Sequence, residues 1–141
     1  MNIYFSCSLT GGRQDESVYK AIVDHLLEIG HEVPTAHLAY PEVMDLERVV
    51  DAREVYERDM AWIEACDALI AEVSTPSHGV GYEIADALIR EKPVLCCYRE
   101  GVTVSKMITG NNSKTLVLST YKGTEEVLAA IDDFLQTLSS A

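Results

Sequence analysis

The sequence predicts an α/β protein, a three-layer sandwich in which a five-stranded parallel sheet lies between two layers of helices. Short, nearly continuous apolar runs, such as residues 68–73, are typical of strands that are covered on both faces. These runs alternate with segments whose apolar residues recur at helical spacing. With 141 residues, 48% of them hydrophobic, the chain is large enough for one core, so we expect residues 1–141 to form a single domain.

The strands and helices follow one another in chain order. β-Branched, aromatic and other apolar residues predict strands at residues 1–7, 31–39, 68–73, 93–98 and 114–119. Helical periodicity predicts helices at residues 16–29, 45–66, 82–91 and 124–138. The second of these is long enough to contain a break in its middle. The last begins with Thr124 as N-cap and two glutamates in its first turn.

The expected topology places two polar loops at one crevice. We expect the flavodoxin-like or Rossmann-like strand order 2-1-3-4-5, in which ligands bind between the carboxyl ends of the first and third strands. The loop at residues 8–15 and the turn at residues 74–81 then face each other across this crevice. Both segments are rich in glycine and polar residues, so the sequence predicts one pocket that they line together.

The composition restricts the partners and the compartment. The 11 basic and 23 acidic residues give a formal net charge of −12, which argues against duplex nucleic acid or an anionic membrane as a partner. A small anionic ligand would have to be held by local donors. The four cysteines lie in apolar segments without C-x-x-C spacing, and neither a signal peptide nor an apolar run of about 20 residues is present. We therefore expect buried thiols in a cytoplasmic protein.

The turn at residues 74–81 is the first candidate site. It supplies three hydroxyl groups and two glycines, at Ser74, Thr75, Ser77, Gly79 and Gly81. Hydroxyl donors, free backbone N–H groups and the N-terminus of the following helix favour an anion. Glu83 is expected in the first turn of that helix, where an acid often only complements the helix dipole. A carboxylate beside an anion site is an electrostatic conflict, and such conflicts are typical of working sites.

Asp59 is the second candidate acid. It shares a helix face with apolar residues at i−3 and i+4, although a solvated aspartate is the ordinary alternative. If that face packs beside the crevice, Glu83 and Asp59 form a pair. Two carboxylates about 5–5.5 Å apart are the arrangement used in retaining glycosyl transfer. His37 and His78 are expected to face the same crevice, and whether either contacts a ligand is open.

Two common nucleotide motifs are not found in the sequence. Gly79 and Gly81 resemble the start of a dinucleotide fingerprint, but Ile84 stands where the third glycine is required. No Walker sequence occurs, and the histidines lack metal-ligand spacing. The sequence therefore does not indicate dinucleotide binding, nucleotide triphosphate hydrolysis or a metal site.

Several segments resemble the 2′-deoxynucleoside 5′-phosphate N-hydrolases, which are relatives of the nucleoside 2-deoxyribosyltransferases. These segments are residues 3–8 (IYFSCS), 11–15 (GGRQD), 58–63 (RDMAWI), 71–83 (AEVSTPSHGVGYE) and 105–110 (SKMITG). The region around His37 adds to the similarity, which runs in unbroken order from residue 3 to at least residue 110. The PSxGVGYE stretch together with the helix at residues 58–63 is more specific than any single motif.

The resemblance implies cleavage of the N-glycosidic bond of a 2′-deoxynucleoside 5′-monophosphate, giving free base and 2-deoxyribose 5-phosphate without metal or cofactor. By position, Glu83 matches the family's nucleophile, which forms a covalent sugar ester that water then resolves. Tyr4 matches the tyrosine that orients this carboxylate. Asp59 matches the acid that serves the sugar or the leaving base.

The resemblance also implies a binding site and an oligomer. The expected substrate-binding residues are Ser8, Gly11, Gly12, Arg13, His37, Ser77, Gly79, Ser105 and Met107. Ser77, Gly79 and the loop at residues 11–13 correspond to the family's phosphate site. Ser105 corresponds to a serine that the neighbouring subunit contributes, which implies a homodimer.

The sequence departs from the family at two positions and leaves other functions open. Cys7 stands where relatives carry glycine, and Thr10 stands where an arginine is common, which affects the base and phosphate walls of the pocket. The alternatives to the hydrolase are a ribonucleotide N-glycosidase acting on substrates such as cytidine monophosphate, a nucleoside 2-deoxyribosyltransferase and a non-catalytic nucleotide sensor.

Overall fold

The computed structural model, which describes residues 1–9 and 15–140, is an α/β fold with a four-stranded parallel sheet. The strands are Ile3–Ser6 (β1), Ala68–Glu72 (β2), Val94–Arg99 (β3) and Leu116–Tyr121 (β4), and they lie in the order β1-β2-β3-β4. In the register, Tyr4 lies opposite Leu69, and Leu69 lies opposite Val94. The predicted α/β class and parallel sheet are confirmed.

Six α-helices and one short 3₁₀-helix are seen in the described part of the chain. The α-helices are Glu16–Glu28 (α1), Val43–Arg48 (α2), Ala52–Ala65 (α3), His78–Ile89 (α4), Lys106–Thr109 (α5) and Thr124–Ser139 (α6), and the 3₁₀-helix is Ala36–Ala39. The helix predicted at residues 45–66 is indeed broken, because α2 ends before α3 begins. At the start of α6, Gly123 is the N-cap, whereas Thr124, predicted for that role, is the first helical residue.

The predicted five-stranded order 2-1-3-4-5 is wrong. The segment predicted as the second strand makes a single parallel bridge to the sheet edge, between Glu32 and Asn2. Pro34 has no N–H group to extend that bridge. Next to it, the Thr35 hydroxyl accepts from the Phe5 N–H at 3.0 Å and donates to the Phe5 carbonyl at 2.8 Å. A side chain therefore takes the place of a backbone ladder beside β1, and the chain then turns into the 3₁₀-helix.

The core lies on both faces of the sheet. Alternation along β1 sends Ile3 and Phe5 into a cluster with apolar residues of α1 and α6. Tyr4 faces the opposite way, into a cluster with apolar residues of α3 and α4. The side of the sheet that α3 and α4 cover is therefore the side to which Tyr4 and Ser6 point.

All four cysteines are buried, as predicted. No helix in the described ranges has the length and apolar character that crossing a bilayer requires. Residues 1–9 and 15–140 also contain no group of three or more His, Cys, Asp and Glu side chains placed to hold a metal ion.

Candidate active site

Helix α4 places Glu83 at the carboxyl edge of the sheet. Ser77 caps the helix, and its Oγ accepts from the Val80 N–H at 3.3 Å. The helix begins at His78, four residues earlier than predicted, so Glu83 lies in the second turn and not in the first. The glycines at 79 and 81, expected in a turn, are likewise helical.

Gly79 keeps the space between Glu83 and Ser77 open. A Cβ atom at this glycine would lie 4.0 Å from Glu83 Oε1 and 4.0 Å from Ser77 Oγ. These are contact distances, so any side chain at position 79 would occupy the gap between the carboxylate and the hydroxyl group. The absence of a side chain therefore leaves a path from the helix N-terminus to Glu83.

Two residues of β1 hold the Glu83 carboxylate. The Tyr4 hydroxyl donates a hydrogen bond to Glu83 Oε2, and the Ser6 hydroxyl donates to Oε1 at 3.3 Å. Tyr4 is completely buried. The two donors are two residues apart on a strand and therefore point to the same face of the sheet. That spacing could have identified Ser6, which the sequence reasoning missed.

The surroundings of Glu83 favour a carboxylate that titrates near neutral pH. Burial raises the pKa of Glu83 to about 7, helped by the negative charge of Asp59 and opposed by the hydrogen bonds from Tyr4 and Ser6 and by the charge of Arg58. Burial and the neighbouring Glu83 charge raise the pKa of Tyr4 far above its ordinary value, so its hydroxyl remains a donor. A group with these properties can serve as a nucleophile or a base at neutral pH.

Asp59 belongs to a polar cluster on α3 beside this site. Its side chain is only 16% exposed, which contradicts the solvated alternative. Arg58 Nε donates to Asp59 Oδ1 at 2.9 Å, and Arg58 Nη2 donates to Glu47 Oε1 at 3.1 Å. Burial raises the pKa of Asp59, although the Arg58 guanidinium opposes the rise. The cluster thus supplies a second acid and a cation whose charges both act on Glu83.

His37 and Trp62 complete this cluster. His37 Nε2 lies 3.0 Å from the same Glu47 oxygen, and its ring contacts the Trp62 ring edge to face, with centroids 6.2 Å apart. The Arg58 guanidinium lies over the Trp62 ring, with Cζ 4.9 Å from the centroid. His37 is therefore linked to Asp59 through Glu47 and Arg58, which the sequence reasoning did not single out.

A buried carboxylate fixes the chain where it leaves β2. Glu72 is completely buried and accepts from the N–H and the hydroxyl of Ser74 at 2.6 and 2.9 Å. The Tyr121 hydroxyl donates a third hydrogen bond to it. Burial raises the pKa of Glu72, and these bonds oppose the rise. Ser74, predicted as a donor to an anion, is instead committed to Glu72, while its Oγ accepts from the Arg99 N–H at 2.9 Å.

A second carboxylate ties α1 to the same edge of the sheet. Arg99 Nε donates to Asp15 Oδ1 at 2.6 Å, and the Thr75 hydroxyl lies 3.4 Å from Asp15 Oδ2. Only 6% of the Asp15 side chain is exposed. We call the following set the strand-end network: Asp15, Glu72, Ser74, Thr75, Arg99 and Tyr121. This network engages the hydroxyl groups of Ser74 and Thr75, so Ser77 is the hydroxyl residue of the turn that remains outside it.

Three predicted binding residues line one cavity. Helix α4 and residues 103–111 enclose about 660 Å³, with Ser77, Ser105 and Met107 among the lining residues. Ser105 caps α5, its Oγ accepting from the Met107 N–H at 3.2 Å, and Met107 is 83% exposed. Among the described residues, the walls of this cavity do not include Glu83 or Asp59. Ser105 and Met107 therefore line the same cavity as Ser77, and Glu83 is not among the described residues that line it.

The loop predicted to bind phosphate is only partly described. Ser8 is completely buried at the end of β1. Gly11, Gly12 and Arg13 lie outside the described residues, as does Thr10. Their predicted roles stay predictions.

Fold and site together define a class of protein: an α/β domain with a tyrosine-oriented carboxylate at the carboxyl edge of a parallel sheet. The chain belongs to the nucleoside 2-deoxyribosyltransferase family, whose sequence model matches residues 3–119. This finding confirms the resemblance noted in the sequence.

Two named relatives and one solved structure are similar to this chain. A Methanosarcina mazei protein, provisionally named 2′-deoxynucleoside 5′-phosphate N-hydrolase 1, is 43% identical over 137 residues, which cover 97% of this chain and 85% of the relative. The 5-hydroxymethyl-dUMP N-hydrolase of Danio rerio is 38% identical over 143 residues, covering 99% of each chain. The solved structure of the Clostridium botulinum CMP N-glycosidase BcmB matches with a TM-score of 0.70 at 19% identity, covering 94% of this chain and 99% of that one.

Proposed function

We propose that this protein hydrolyses the N-glycosidic bond of 2′-deoxynucleoside 5′-monophosphates, releasing the free base and 2-deoxyribose 5-phosphate. The observation that carries the proposal is the Glu83 carboxylate, which is held by Tyr4 and Ser6 beside the N-terminus of α4. The names of the relatives from Methanosarcina mazei and Danio rerio support an N-hydrolase acting on deoxynucleotides.

In the first step, Glu83 attacks C1′ of the deoxyribose. A bond forms between a carboxylate oxygen and C1′, the bond from C1′ to the base nitrogen breaks, and its electron pair leaves with the base. Oε1 is the attacking oxygen, because Oε2 accepts from the buried Tyr4 hydroxyl while the contact of Oε1 is with Ser6 at 3.3 Å. A sugar that lacks the 2′-hydroxyl reaches an oxocarbenium-like state readily, so a positioned carboxylate suffices.

In the second step, water attacks C1′ and releases Glu83. Asp59 is the second carboxylate, which assists the departure of the base and then the activation of water, as in retaining glycosidases. Its partial burial and raised pKa favour a group that exchanges a proton during the cycle. Tyr4 keeps the Glu83 carboxylate in the attacking orientation throughout.

The substrate's phosphate lies at the N-terminus of α4. The helix dipole, the Ser77 hydroxyl and the open side of Gly79 favour an anion here, and phosphate anchoring orients C1′ toward Glu83. In this proposal Ser8, Gly11, Gly12 and Arg13 also bind the phosphate, as the family resemblance implies. His37 contacts the base.

The active unit is a cytoplasmic homodimer. In this proposal, Ser105 and the exposed Met107 reach the neighbouring subunit's site, for which the high exposure of Met107 in a single chain is the supporting observation. A monomer with full activity at all concentrations would contradict this part of the proposal.

Base release from nucleoside monophosphates tests the proposal. The wild type should release base from at least one 2′-deoxynucleoside 5′-monophosphate, and Glu83→Gln should lose about 10⁴-fold in turnover, as nucleophile variants do. Glu64→Gln is the matched control, because Glu64 lies on α3 with its side chain 72% exposed, and it should retain wild-type turnover. Full turnover by Glu83→Gln would refute the assignment.

The same screen separates the alternatives. The family name favours a second candidate, transfer of deoxyribose between bases, which would appear as exchanged nucleoside when a free base is added. Release of base from ribonucleotides at a comparable rate would indicate a CMP-type N-glycosidase. Tight nucleotide binding without base release over hours would indicate a sensor.

A further inference from the structure

Among the described residues, the Arg58 guanidinium supplies a positive charge to the candidate active site. In the described chain, Asp59 and Arg58 are the charged residues of α3 that act on Glu83, one repelling and one attracting its carboxylate. Glu47 adds a further acid to the same cluster. A crevice with three carboxylates in a chain of net charge −12 is a poor environment for any group that becomes negative during a reaction, unless a cation lies within reach.

Three independent contacts fix the plane of this guanidinium. Nε donates to Asp59 Oδ1 at 2.9 Å, and Nη2 donates to Glu47 Oε1 at 3.1 Å. The Cζ atom lies 4.9 Å from the centroid of the Trp62 ring. With 23% of the side chain exposed, Arg58 is neither a mobile surface residue nor fully enclosed. It is oriented before any ligand binds, which is the condition under which a charge stabilises a transition state most.

The guanidinium also retains unused donors. An arginine carries five N–H groups, and within residues 1–9 and 15–140 the side-chain hydrogen bonds of Arg58 are the two to Asp59 and Glu47. The Nη1 group therefore has no acceptor among the described residues. Beside it, the Trp62 ring offers an aromatic surface, and His37 lies at the edge of that ring. A flat heterocycle with oxygen or nitrogen acceptors on its rim fits this arrangement of ring and donors.

We propose that Arg58 contacts the leaving base and stabilises the negative charge that develops on it, an assignment that rests on the proposed N-glycosidic cleavage. As the bond from C1′ to nitrogen breaks, the electron pair spreads over the ring nitrogens and carbonyl oxygens of the base. Arg58 donates hydrogen bonds to these atoms and keeps its own proton. The base anion takes a proton from Asp59 or from water before it leaves, and Glu83 holds the sugar as an ester.

The leaving-group dependence of the rate tests this role. The substrates are 2′-deoxyuridine 5′-monophosphates with a methyl, hydrogen, fluoro or nitro group at C5. In this order the base becomes a better leaving group, while its size changes little. Single-turnover rates, with the enzyme in saturating excess over the substrate, are measured for the wild type, Arg58→Gln and Arg90→Gln. Arg90 is the matched control, because its Nε donates to Asp86 at 2.8 Å on the exposed end of α4.

The rate of Arg58→Gln should depend on the leaving group much more strongly than the rate of the wild type. The rate should fall by about 100-fold for the poorest leaving base and by less than about 5-fold for the nitro-substituted one, because a good leaving group needs little stabilisation. Arg90→Gln should follow the wild type. If Arg58→Gln does not fold, Arg58→Lys makes the same comparison, since lysine keeps the charge but lacks the fixed fork of N–H groups. The rate loss of Arg58→Lys should show the same dependence on the leaving group, with a smaller magnitude.

Two results would overturn parts of this account separately. A loss that is equal for all four substrates, or no loss, would show that Arg58 only joins α2 to α3, and the proposed hydrolysis would stand. A wild type that releases no base from any monophosphate would overturn the proposed function together with the role of Arg58.

Discussion

Replacing Tyr4 with phenylalanine isolates the hydrogen bond that orients Glu83. The Tyr4 hydroxyl is completely buried and donates to Glu83 Oε2, and this bond lowers a carboxyl pKa that burial holds at about 7. A hydrogen bond to a charged group is worth about 1.5–3 kcal/mol, and one pKa unit corresponds to about 1.4 kcal/mol. Tyr4→Phe should therefore raise the pKa of Glu83 by about one to two units.

The pH dependence of kcat/KM measures this shift. Because the ionised carboxylate attacks, activity rises as the pH rises through the pKa of Glu83, and the acid limb of the profile reports the free enzyme. The limb should move from about 7 in the wild type to higher pH in Tyr4→Phe. At about pH 6 the variant should lose at least about tenfold in kcat/KM through ionisation alone, whereas above about pH 9 much of that loss should disappear.

A matched control separates this effect from the loss of a buried phenol. Tyr121 is also buried and donates to a buried glutamate, Glu72, so Tyr121→Phe removes the same kind of bond away from Glu83. Its acid limb should coincide with that of the wild type. An acid limb that stays in place or moves to lower pH in Tyr4→Phe would refute the assignment of Glu83 as the titrating group.

Two predictions concern stability. Burial raises the pKa of Glu83 in the folded state from an ordinary 4.5 to about 7. The protonated carboxyl group therefore contributes to the free energy of unfolding fully below the pKa of the unfolded chain, and this contribution is lost as the pH rises through about 7. Glu83→Gln should remove this pH dependence, so its free energy of unfolding should rise by up to about 3 kcal/mol relative to that of the wild type between pH 5 and 8. Urea unfolding in which the variant and the wild type differ by the same amount at pH 5 and at pH 8 would contradict this prediction. Tyr121→Phe should lower the free energy of unfolding by about 1–3 kcal/mol, because Glu72 loses one of three donors. Tyr40→Phe, which removes a partly exposed bond to Asp24, should lose less in the same assay, and an equal loss would refute the reasoning.

The parts of the site that depend on local patterns could be predicted from the sequence. The turn before α4 and its helix N-terminus drew attention to Glu83, and helical spacing placed Asp59 among apolar neighbours. The role of Tyr4 came from the family resemblance, and the structure adds the hydrogen bond that joins it to Glu83, 79 residues away.

The parts that depend on distant pairs could not be predicted in this way. Arg99 and Asp15 are 84 residues apart, and nothing in either local sequence indicates that they meet. Glu72 carried a usable signal, because it is a lone acid at the end of an apolar strand and therefore needs donors when buried. Arg58 was passed over because a cation on a helix is ordinarily a solvated residue.

The missing strand has a comparable explanation. Residues 31–39 have the composition of a weak strand, and one bridge to Asn2 does form. The Thr35 side chain then occupies both hydrogen-bonding groups of Phe5, which a propensity pattern cannot reveal. A side chain that replaces a backbone ladder leaves the alternation of residues unchanged while ending the strand.

The most direct test of the central claim is whether Glu83 becomes covalently attached to the sugar. The wild type is mixed with a deoxynucleoside monophosphate, quenched in acid within one turnover and analysed by peptide mass spectrometry. We expect a 2-deoxyribose 5-phosphate ester on the peptide that carries Glu83, formed together with a burst of free base. Base release in a full turnover with this peptide unmodified, and with a sugar product of inverted configuration at C1′, would contradict the account.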